Sequence, residues 1–221
     1  MERIPEPELM DAPEQAEAYA HADFSDANGR FVEEFLARFG HRPASGELID
    51  LGCGPGDICL RLARALPGWK ISGIDAGPNM LRLARVALDG AGLGDRVEFR
   101  FSHLPDPGLA AGRYDAVVSN SLLHHLPDPA ILWKTASRIA RPGAYVQVMD
   151  LERPPSEEAA LTLVERYAAG EPEILRRDFH NSLKAAWRAE EVSGQLRQAG
   201  LEVLAVEAIS DRHWLVSGFI P

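Results

Sequence analysis

The sequence predicts an α/β fold in which a mostly parallel sheet of about seven strands is doubly wound, with helices on both faces. Apolar segments with strand character alternate with amphipathic helical segments through the middle of the chain. A glycine-dense turn joins the first strand to the helix that follows it. Only residues 209–211 separate the last two predicted strands, too few for a parallel crossover, so the final strand should be antiparallel.

The individual elements follow from periodicity and from residues that start or stop helices. The predicted strands are a first one that starts near Glu47, then 69–75, 97–101, 115–120, 144–151, 201–208 and 212–220. The predicted helices are 14–22, 29–39, those that start after Asp57, at Pro78 and at Pro129, and 189–199. Prolines at 78 and 129 suit a first helical turn.

We expect 221 residues to form one domain, since α/β domains of this size are common. Its predicted parts are an N-terminal helical cap (1–44), a ligand-binding core (45–152), a helical insertion (153–188) and a C-terminal helix with two strands (189–221). Ligands of such sheets bind beyond the carboxyl ends of the strands. The cap and the insertion should therefore lie over that crevice, with simple packing on a sheet edge as the alternative.

Three alternating glycines, Gly52, Gly54 and Gly56, occupy the turn after the first strand. Glycine tolerates positive φ and has no Cβ, so such a turn folds tightly and lets a ligand press against the backbone. Asp75 ends the second strand, 21 positions after Gly54. A carboxylate at this offset typically reaches a ribose diol. The pair therefore indicates a nucleoside-binding crevice rather than an ordinary strand-to-helix turn.

The glycine spacing also separates two classes of nucleoside ligand. The third glycine follows the second by two residues, whereas the dinucleotide fingerprint places it three residues later, where the backbone approaches a pyrophosphate. A nicotinamide cofactor is therefore the weaker interpretation.

With these motifs the chain resembles the class I S-adenosylmethionine-dependent methyltransferases, over about residues 45–152. The run from Ile49 to Gly56 looks like the family's first motif, and Asp75 matches its ribose-binding acid. The run from Tyr114 to Leu126 resembles the fourth strand and its following loop, in the style of the ubiquinone and menaquinone biosynthesis methyltransferases. The run from Arg141 to Ala144 looks like the turn before the fifth strand. The antiparallel last strand is also a feature of this Rossmann-like fold.

The resemblance implies S-adenosylmethionine as cofactor, S-adenosylhomocysteine as product, and a set of cofactor-binding positions. It assigns the methionine half to the first motif, the ribose to Asp75, the adenine side to 76–80 and the position beneath the sulfonium to Asn120. The predicted cofactor-binding residues are Asp50, Gly52, Cys53, Gly54, Gly56, Asp75, Ala76, Met80, Ser102, His103, Asn120 and Tyr19. The last of these is expected as an aromatic ring over the cofactor, with a core position as the alternative.

The chain departs from the family pattern after the third strand. Where relatives often carry an acid that binds the adenine amino group, it reads Ser102-His103. Adenine recognition should therefore differ, through a backbone amide, the serine hydroxyl or the imidazole. A histidine on a surface loop is the alternative for His103.

Methyl transfer from a sulfonium needs alignment, exclusion of water and, for a protonated acceptor, a base. His124 and His125 are the candidate bases because they follow the fourth strand just past Asn120. Two neighbours cannot both point into the site on a regular element, so one should be structural. No nucleophile elbow is present, and we expect no metal site. In relatives, the cap and the insertion form a lid that selects the substrate, and further lid candidates are Asp178, His180, Asn181 and His213.

The net charge of −10 argues against nucleic acid and anionic membranes as partners. Two cysteines, no apolar leader and no membrane-length apolar segment favour a reduced, cytoplasmic setting. We expect a monomer or homodimer that methylates a small molecule. A protein or peptide methyltransferase and a cofactor-binding regulator without catalysis are the alternatives.

Overall fold

A seven-stranded sheet forms the centre of the protein, and the computed structural model describes residues 1–6 and 9–221. The strands are β1 (Gly46–Leu51), β2 (Trp69–Asp75), β3 (Val97–Phe101), β4 (Tyr114–Asn120), β5 (Ala140–Leu151), β6 (Ala205–Ala208) and β7 (His213–Phe219). Their order is β3-β2-β1-β4-β5-β7-β6, and among them β7 runs opposite to the rest. The predicted fold class is confirmed, including its antiparallel last strand.

Within the described residues, eight α-helices surround the sheet, and a short 3₁₀ turn, Leu123–His125, follows β4. The helices are α1 (Pro13–His21), α2 (Ser25–Arg38), α3 (Asp57–Ala65), α4 (Pro78–Ala91), α5 (Ala130–Ile139), α6 (Glu157–Ala168), α7 (Glu173–Ala185) and α8 (Ala189–Gln198). No helix among the described residues combines the length and the apolar character needed to cross a membrane.

Neighbouring residues of the central strands bury against different helices, because side chains alternate across a strand. Leu48 packs in a cluster with α2, α3 and α4, whereas Ile49 packs in a cluster with α5 and α8. Both faces of β1 are therefore covered, as expected for a parallel strand at the middle of a sheet. This burial fixes the carboxyl ends of β1, β2 and β4 side by side.

Three predicted boundaries were wrong. The strand expected at 201–208 is confined to β6, because Gly200 adopts a left-handed φ of 71° and Leu201 donates its amide to the Leu196 carbonyl. After a helix end of this kind, the chain continues as a turn and not as a strand. The helix expected at 29–39 begins four residues earlier, at Ser25.

The turn expected at 141–144 lies inside β5. Residue pairing with β4 jumps between Ala140 and Tyr145, and Gly143 has a φ of 77°. Its amide is bonded to the Ile220 carbonyl next to β7, so these residues join the sheet as an irregular stretch.

The insertion consists of α6 and α7, which pack mainly on each other. Ser156 caps α6 by accepting a hydrogen bond from the Ala159 amide. The N-terminal segment runs along the same region: Asp11 accepts hydrogen bonds from the Asn79 and Met80 amides and so caps α4 from a distance. The cap and the insertion thus both reach the edge where β1, β2 and β4 end.

Candidate functional site

A cavity of about 520 Å³ lies at the carboxyl ends of the central strands. This size falls within the roughly 300–1,000 Å³ of small-molecule sites. Its wall includes Tyr19 of α1, Tyr167 of α6 and Asp178 of α7, in addition to the strand ends. Every predicted site residue except Gly56 lines it.

Asp75 is anchored by the backbone of the turn that faces it. Its Oδ2 accepts a hydrogen bond from the Gly54 amide at 2.8 Å, and its Oδ1 accepts one from the Gly77 amide at 2.7 Å. Burial raises the pKa of the Asp75 carboxyl, and these amides act in the opposite direction. The sequence offset of 21 residues therefore corresponds to direct contact.

The three glycines of the turn have different roles, although all have positive φ. A Cβ added at Gly54 would meet nothing within 4 Å, so this backbone faces the open cavity. A Cβ at Gly52 would lie 2.8 Å from the Leu122 side chain, and one at Gly56 would lie 2.5 Å from Phe99. Gly56 therefore serves packing of α3 against β3, which explains why it does not line the cavity.

Asp50 presents a buried carboxyl at the end of β1. Its Oδ2 accepts a hydrogen bond from the Cys59 thiol at 3.3 Å, while its Oδ1 has no hydrogen-bond partner among the described residues. Burial raises the pKa of Asp50 to about 7, with the thiol acting against the shift. The Oδ1 of Asn120 is likewise buried without a partner in the described part of the chain. Buried polar atoms of this kind are costly unless a ligand satisfies them.

Ser102, on the predicted adenine side of the site, contacts an acid that was not predicted from the sequence, Asp106. The Ser102 hydroxyl donates to Asp106 Oδ2 at 2.6 Å, and Asp106 also accepts from the Gly108 amide. The hydroxyl is thus held by a carboxylate four residues later in the chain. Ser102 and His103 both line the cavity, as do Ala76 and Met80.

Helices α1 and α7 meet over the cavity. Gln15 donates to the buried Asp178 carboxylate at 2.9 Å, and the Tyr19 ring lies 4.6 Å from that of Phe24, centroid to centroid. Of the further lid candidates, Asp178 and His213 line the cavity, and His180 instead pairs with Glu157 inside the insertion. Residues of both helices thus line the cavity beyond the strand ends.

The two histidines after β4 occupy one wall of the cavity, and His124 is held by a buried carboxylate. Its Nδ1 lies 2.5 Å from Asp150 Oδ1, and its amide donates to Asp150 Oδ2 at 3.2 Å. Burial alone would lower the pKa of His124, but the Asp150 charge and hydrogen bond raise it. Burial would conversely raise the pKa of Asp150, and His124 lowers it. The pair therefore orients the imidazole with Nε2 away from the strand.

A third group, the Glu6 carboxylate, contacts both histidines. Its Oε1 lies 3.4 Å from His124 Nε2 and 3.4 Å from His125 Nδ1, and it accepts a hydrogen bond from the Ser182 hydroxyl at 3.0 Å. Burial raises the pKa of Glu6, and His124 acts against this shift.

Asp150 and Glu6 were not predicted as site residues from the sequence. Asp150 had a visible signal, an acid in an otherwise apolar strand that ends at the same sheet edge as the histidines. Glu6 had none, because it reaches the histidines only through the fold of the N-terminal segment.

The family described as "Methyltransferase domain" matches residues 19–206. A ubiquinone biosynthesis O-methyltransferase from Marinobacter nauticus is 30% identical over 184 residues, 82% of this chain and 72% of the relative. One from Bordetella pertussis is 33% identical over 158 residues, 70% of this chain and 61% of the relative, so the chain spans less than two thirds of that protein.

Among solved structures, an S-adenosylmethionine-dependent methyltransferase from Aquifex aeolicus has a TM-score of 0.71 at 20% identity. The match covers 96% of this chain and all of the other, and it shows the shared fold. The family match extends over most of the chain, including the glycine turn, Asp75 and the histidine pair. The chain therefore belongs to the class I S-adenosylmethionine-dependent methyltransferases.

Proposed function

We propose that the protein transfers a methyl group from S-adenosylmethionine to a hydroxyl of a small, largely apolar acceptor. The observation that carries this proposal is the His124 imidazole, which is held by the buried Asp150 and lines the same cavity as the anchored Asp75. The names of the relatives, ubiquinone biosynthesis O-methyltransferases, support an oxygen acceptor.

The residues at the strand ends fit the cofactor. Gly54 offers bare backbone, Asp75 offers a carboxylate for a ribose diol, and Asp50 has an unsatisfied buried oxygen suited to an ammonium group. Asn120, at the end of the neighbouring strand, would lie beneath the sulfonium. When bound, S-adenosylmethionine supplies an electrophilic methyl group and leaves as S-adenosylhomocysteine.

The acceptor would occupy the part of the cavity between the histidines and the insertion. Its wall there has apolar side chains, Leu126, Met149, Leu151, Leu175 and Phe179, and polar ones from the insertion, among them Tyr167, Asp178 and Ser182. Apolar walls bury an aromatic or aliphatic body, and the few polar groups then fix its orientation. The cap and the insertion exclude water and align the acceptor, which lowers the barrier to an in-line displacement.

His124 and His125 are the proposed catalytic residues, which promote loss of the hydroxyl proton. The acceptor oxygen forms its bond to the methyl carbon while the carbon–sulfur bond breaks, and that electron pair stays on sulfur. In the simplest route, an imidazole nitrogen accepts the proton, with Asp150 fixing the ring of His124.

Methyl transfer from labelled S-adenosylmethionine to a panel of acceptors tests the proposal. We expect transfer to catechol-like and other aromatic hydroxyls, and weak or no transfer to aliphatic amines and unfolded peptides. His124→Asn should lower kcat by about 100-fold, within the range of lost acid–base catalysis. His41→Asn, at an exposed histidine that does not line the cavity, should leave kcat within about threefold.

Two results would contradict the proposal: transfer only to peptides, which indicates a protein methyltransferase, or saturable cofactor binding with no transfer to any acceptor, which indicates a regulator.

We also propose that the protein acts in the reducing cytoplasm as a monomer or homodimer, without nucleic acid or membrane partners. Cys53 and Cys59 are buried free thiols beside the glycine turn, which supports a reducing setting. Light scattering of the purified protein tests the oligomeric state.

A further inference from the structure

Three potential metal ligands from distant parts of the chain meet at one wall of the cavity. One carboxylate oxygen of Glu6 and one ring nitrogen each of His124 and His125 all lie within 4.8 Å of one another. We propose that these residues form a binding site for a divalent transition-metal cation such as Zn²⁺.

The distances suit ligation better than hydrogen bonding. Glu6 Oε1 lies 3.4 Å from His124 Nε2 and 3.4 Å from His125 Nδ1. An N–H···O hydrogen bond is typically about 2.7–3.2 Å long. Ligands at about 2.0–2.1 Å from a tetrahedral Zn²⁺ are separated by about 3.3–3.4 Å, the edge of the tetrahedron. Two of the three ligand separations therefore match the edge of a tetrahedral Zn²⁺ site, and the third, between the two ring nitrogens, is at most 4.8 Å.

In metal sites the ligating residues are themselves held by hydrogen bonds to other residues. Both kinds of ligand here, the histidine and the carboxylate, have such a partner. A ligating histidine usually donates its other ring N–H to a carboxylate, which fixes the ring and its tautomer. His124 has this arrangement, with Nδ1 2.5 Å from the buried Asp150. The Glu6 carboxylate is held in turn by the Ser182 hydroxyl at 3.0 Å.

The N-terminal segment holds Glu6 in place through contacts that do not involve the cluster's ligand atoms. The Arg3 guanidinium donates to the Ala185 carbonyl at 2.6 Å and to the His124 carbonyl at 3.0 Å, and it lies 4.0 Å from the Trp187 ring. The Ile4 amide donates to the Lys184 carbonyl at 3.0 Å. The site is thus preorganised, which lowers the cost of binding.

Glu6, His124 and His125 supply three ligands, which leaves a fourth coordination position for the acceptor. His124, His125 and Ser182 line the cavity, so a fourth ligand would approach from that side. Three protein ligands with an open position are typical of catalytic rather than structural zinc sites. This part rests on the proposed function: the histidines would act through a bound cation, which lowers the pKa of a coordinated hydroxyl, instead of taking the proton directly.

Metal binding by the full-length protein, free of affinity tag and treated with chelator, tests the site independently of activity. We expect one Zn²⁺ per chain by titration against a chromogenic chelator, confirmed by elemental analysis. Glu6→Gln and His125→Ala should weaken binding at least about tenfold, and Asp150→Asn should weaken it about 10- to 100-fold, as for other outer partners. Glu2→Gln, an exposed glutamate of the same segment, is the matched control and should bind as the parent does.

S-adenosylmethionine binding, measured on the same variants, shows that each has folded. No saturable Zn²⁺ binding by the parent, or binding that Glu6→Gln leaves unchanged, would overturn the proposal and leave an ion-paired cluster. Loss of cofactor binding by the parent would instead contradict the proposed function, so the two failures are distinguishable.

Discussion

The two proposed halves of the cavity, one for the cofactor and one for the acceptor, are assembled in different ways. In the cofactor half, Asp75 contacts amides 21 and 2 positions away in the sequence. In the acceptor half, the Glu6 carboxylate meets a hydroxyl 176 positions away, and Gln15 meets Asp178 across 163 positions. Geometry in the first half depends on one strand–turn–helix unit and the next strand. Geometry in the second depends on the docking of both the N-terminal segment and the insertion.

The difference predicts that single changes in the cofactor half weaken cofactor binding strongly. Asp75→Ala removes a carboxylate expected to accept two ribose hydrogen bonds. Hydrogen bonds to a charged group contribute about 1.5–3 kcal/mol each, so affinity for S-adenosylmethionine should fall by about 4 kcal/mol, roughly 1,000-fold. Isothermal titration calorimetry measures the loss.

Asp23→Ala is the matched control, since this exposed carboxylate also lines the cavity. It should change affinity by less than about threefold, as expected of a solvated charge. Equal losses in both variants would mean that general electrostatics, and not the ribose contact, governs binding.

Substitutions in the glycine turn can separate an effect on cofactor binding from an effect on packing. Gly54→Ala and Gly56→Ala both place a Cβ at positive φ, which costs about 1–2 kcal/mol. The added Cβ of Gly56→Ala also meets Phe99 at 2.5 Å, so this variant should lose about 3 kcal/mol of unfolding free energy in urea. Gly54→Ala should lose only the backbone term but block the cofactor. A larger stability loss in Gly54→Ala would contradict this division.

The positions of the cofactor half could be predicted from local information. The glycine spacing and the offset to Asp75 specify contacts within one structural unit. Of the predicted cofactor-binding residues, Gly56 alone does not line the cavity, because its partner Phe99 lies on another strand; contact of the others with the cofactor stays a prediction. The strand 201–208 was overpredicted because Leu201 and Leu204 are buried by a helix-ending turn, which has the same apolar pattern. Glu6 and Asp106 were missed because loops, which carry no periodicity, bring them to the site.

Cofactor affinity should depend on pH through Asp50, whose pKa is raised by burial to about 7. The ionised carboxylate is the form that attracts an ammonium group, so the parent should bind S-adenosylmethionine about tenfold more weakly at pH 6 than at pH 8. Asp50→Asn should bind weakly at both values. Calorimetry across this range measures the effect, and an equal slope in Asp50→Asn would assign it to another group.

The same shift has a defined sign for the cofactor-free protein. Because the folded state holds the Asp50 proton more tightly than the unfolded chain, its contribution to stability is full below about pH 4 and is lost as pH rises to about 7. Asp50→Asn should therefore raise the unfolding midpoint at pH 8 relative to the parent, and the gain should shrink towards pH 4.

We expect the smallest effect of a substitution at the proposed lid, because several weak contacts together hold α6 in place. The Tyr167 hydroxyl donates to Asp211 at 2.7 Å, and its ring packs against the Arg212 guanidinium at 3.3 Å from the ring centroid. Tyr167→Phe removes only the hydrogen bond, worth about 1 kcal/mol or less at this exposed site. Hydrogen exchange in α6 should speed up about fivefold at most, and the acceptor KM should rise by a similar factor. Tyr167→Ala, which also removes the stacked ring, should have the larger effect on both. If Tyr167→Phe alone abolished acceptor turnover, the hydroxyl would contact the substrate, and the lid would be as dependent on single residues as the cofactor half.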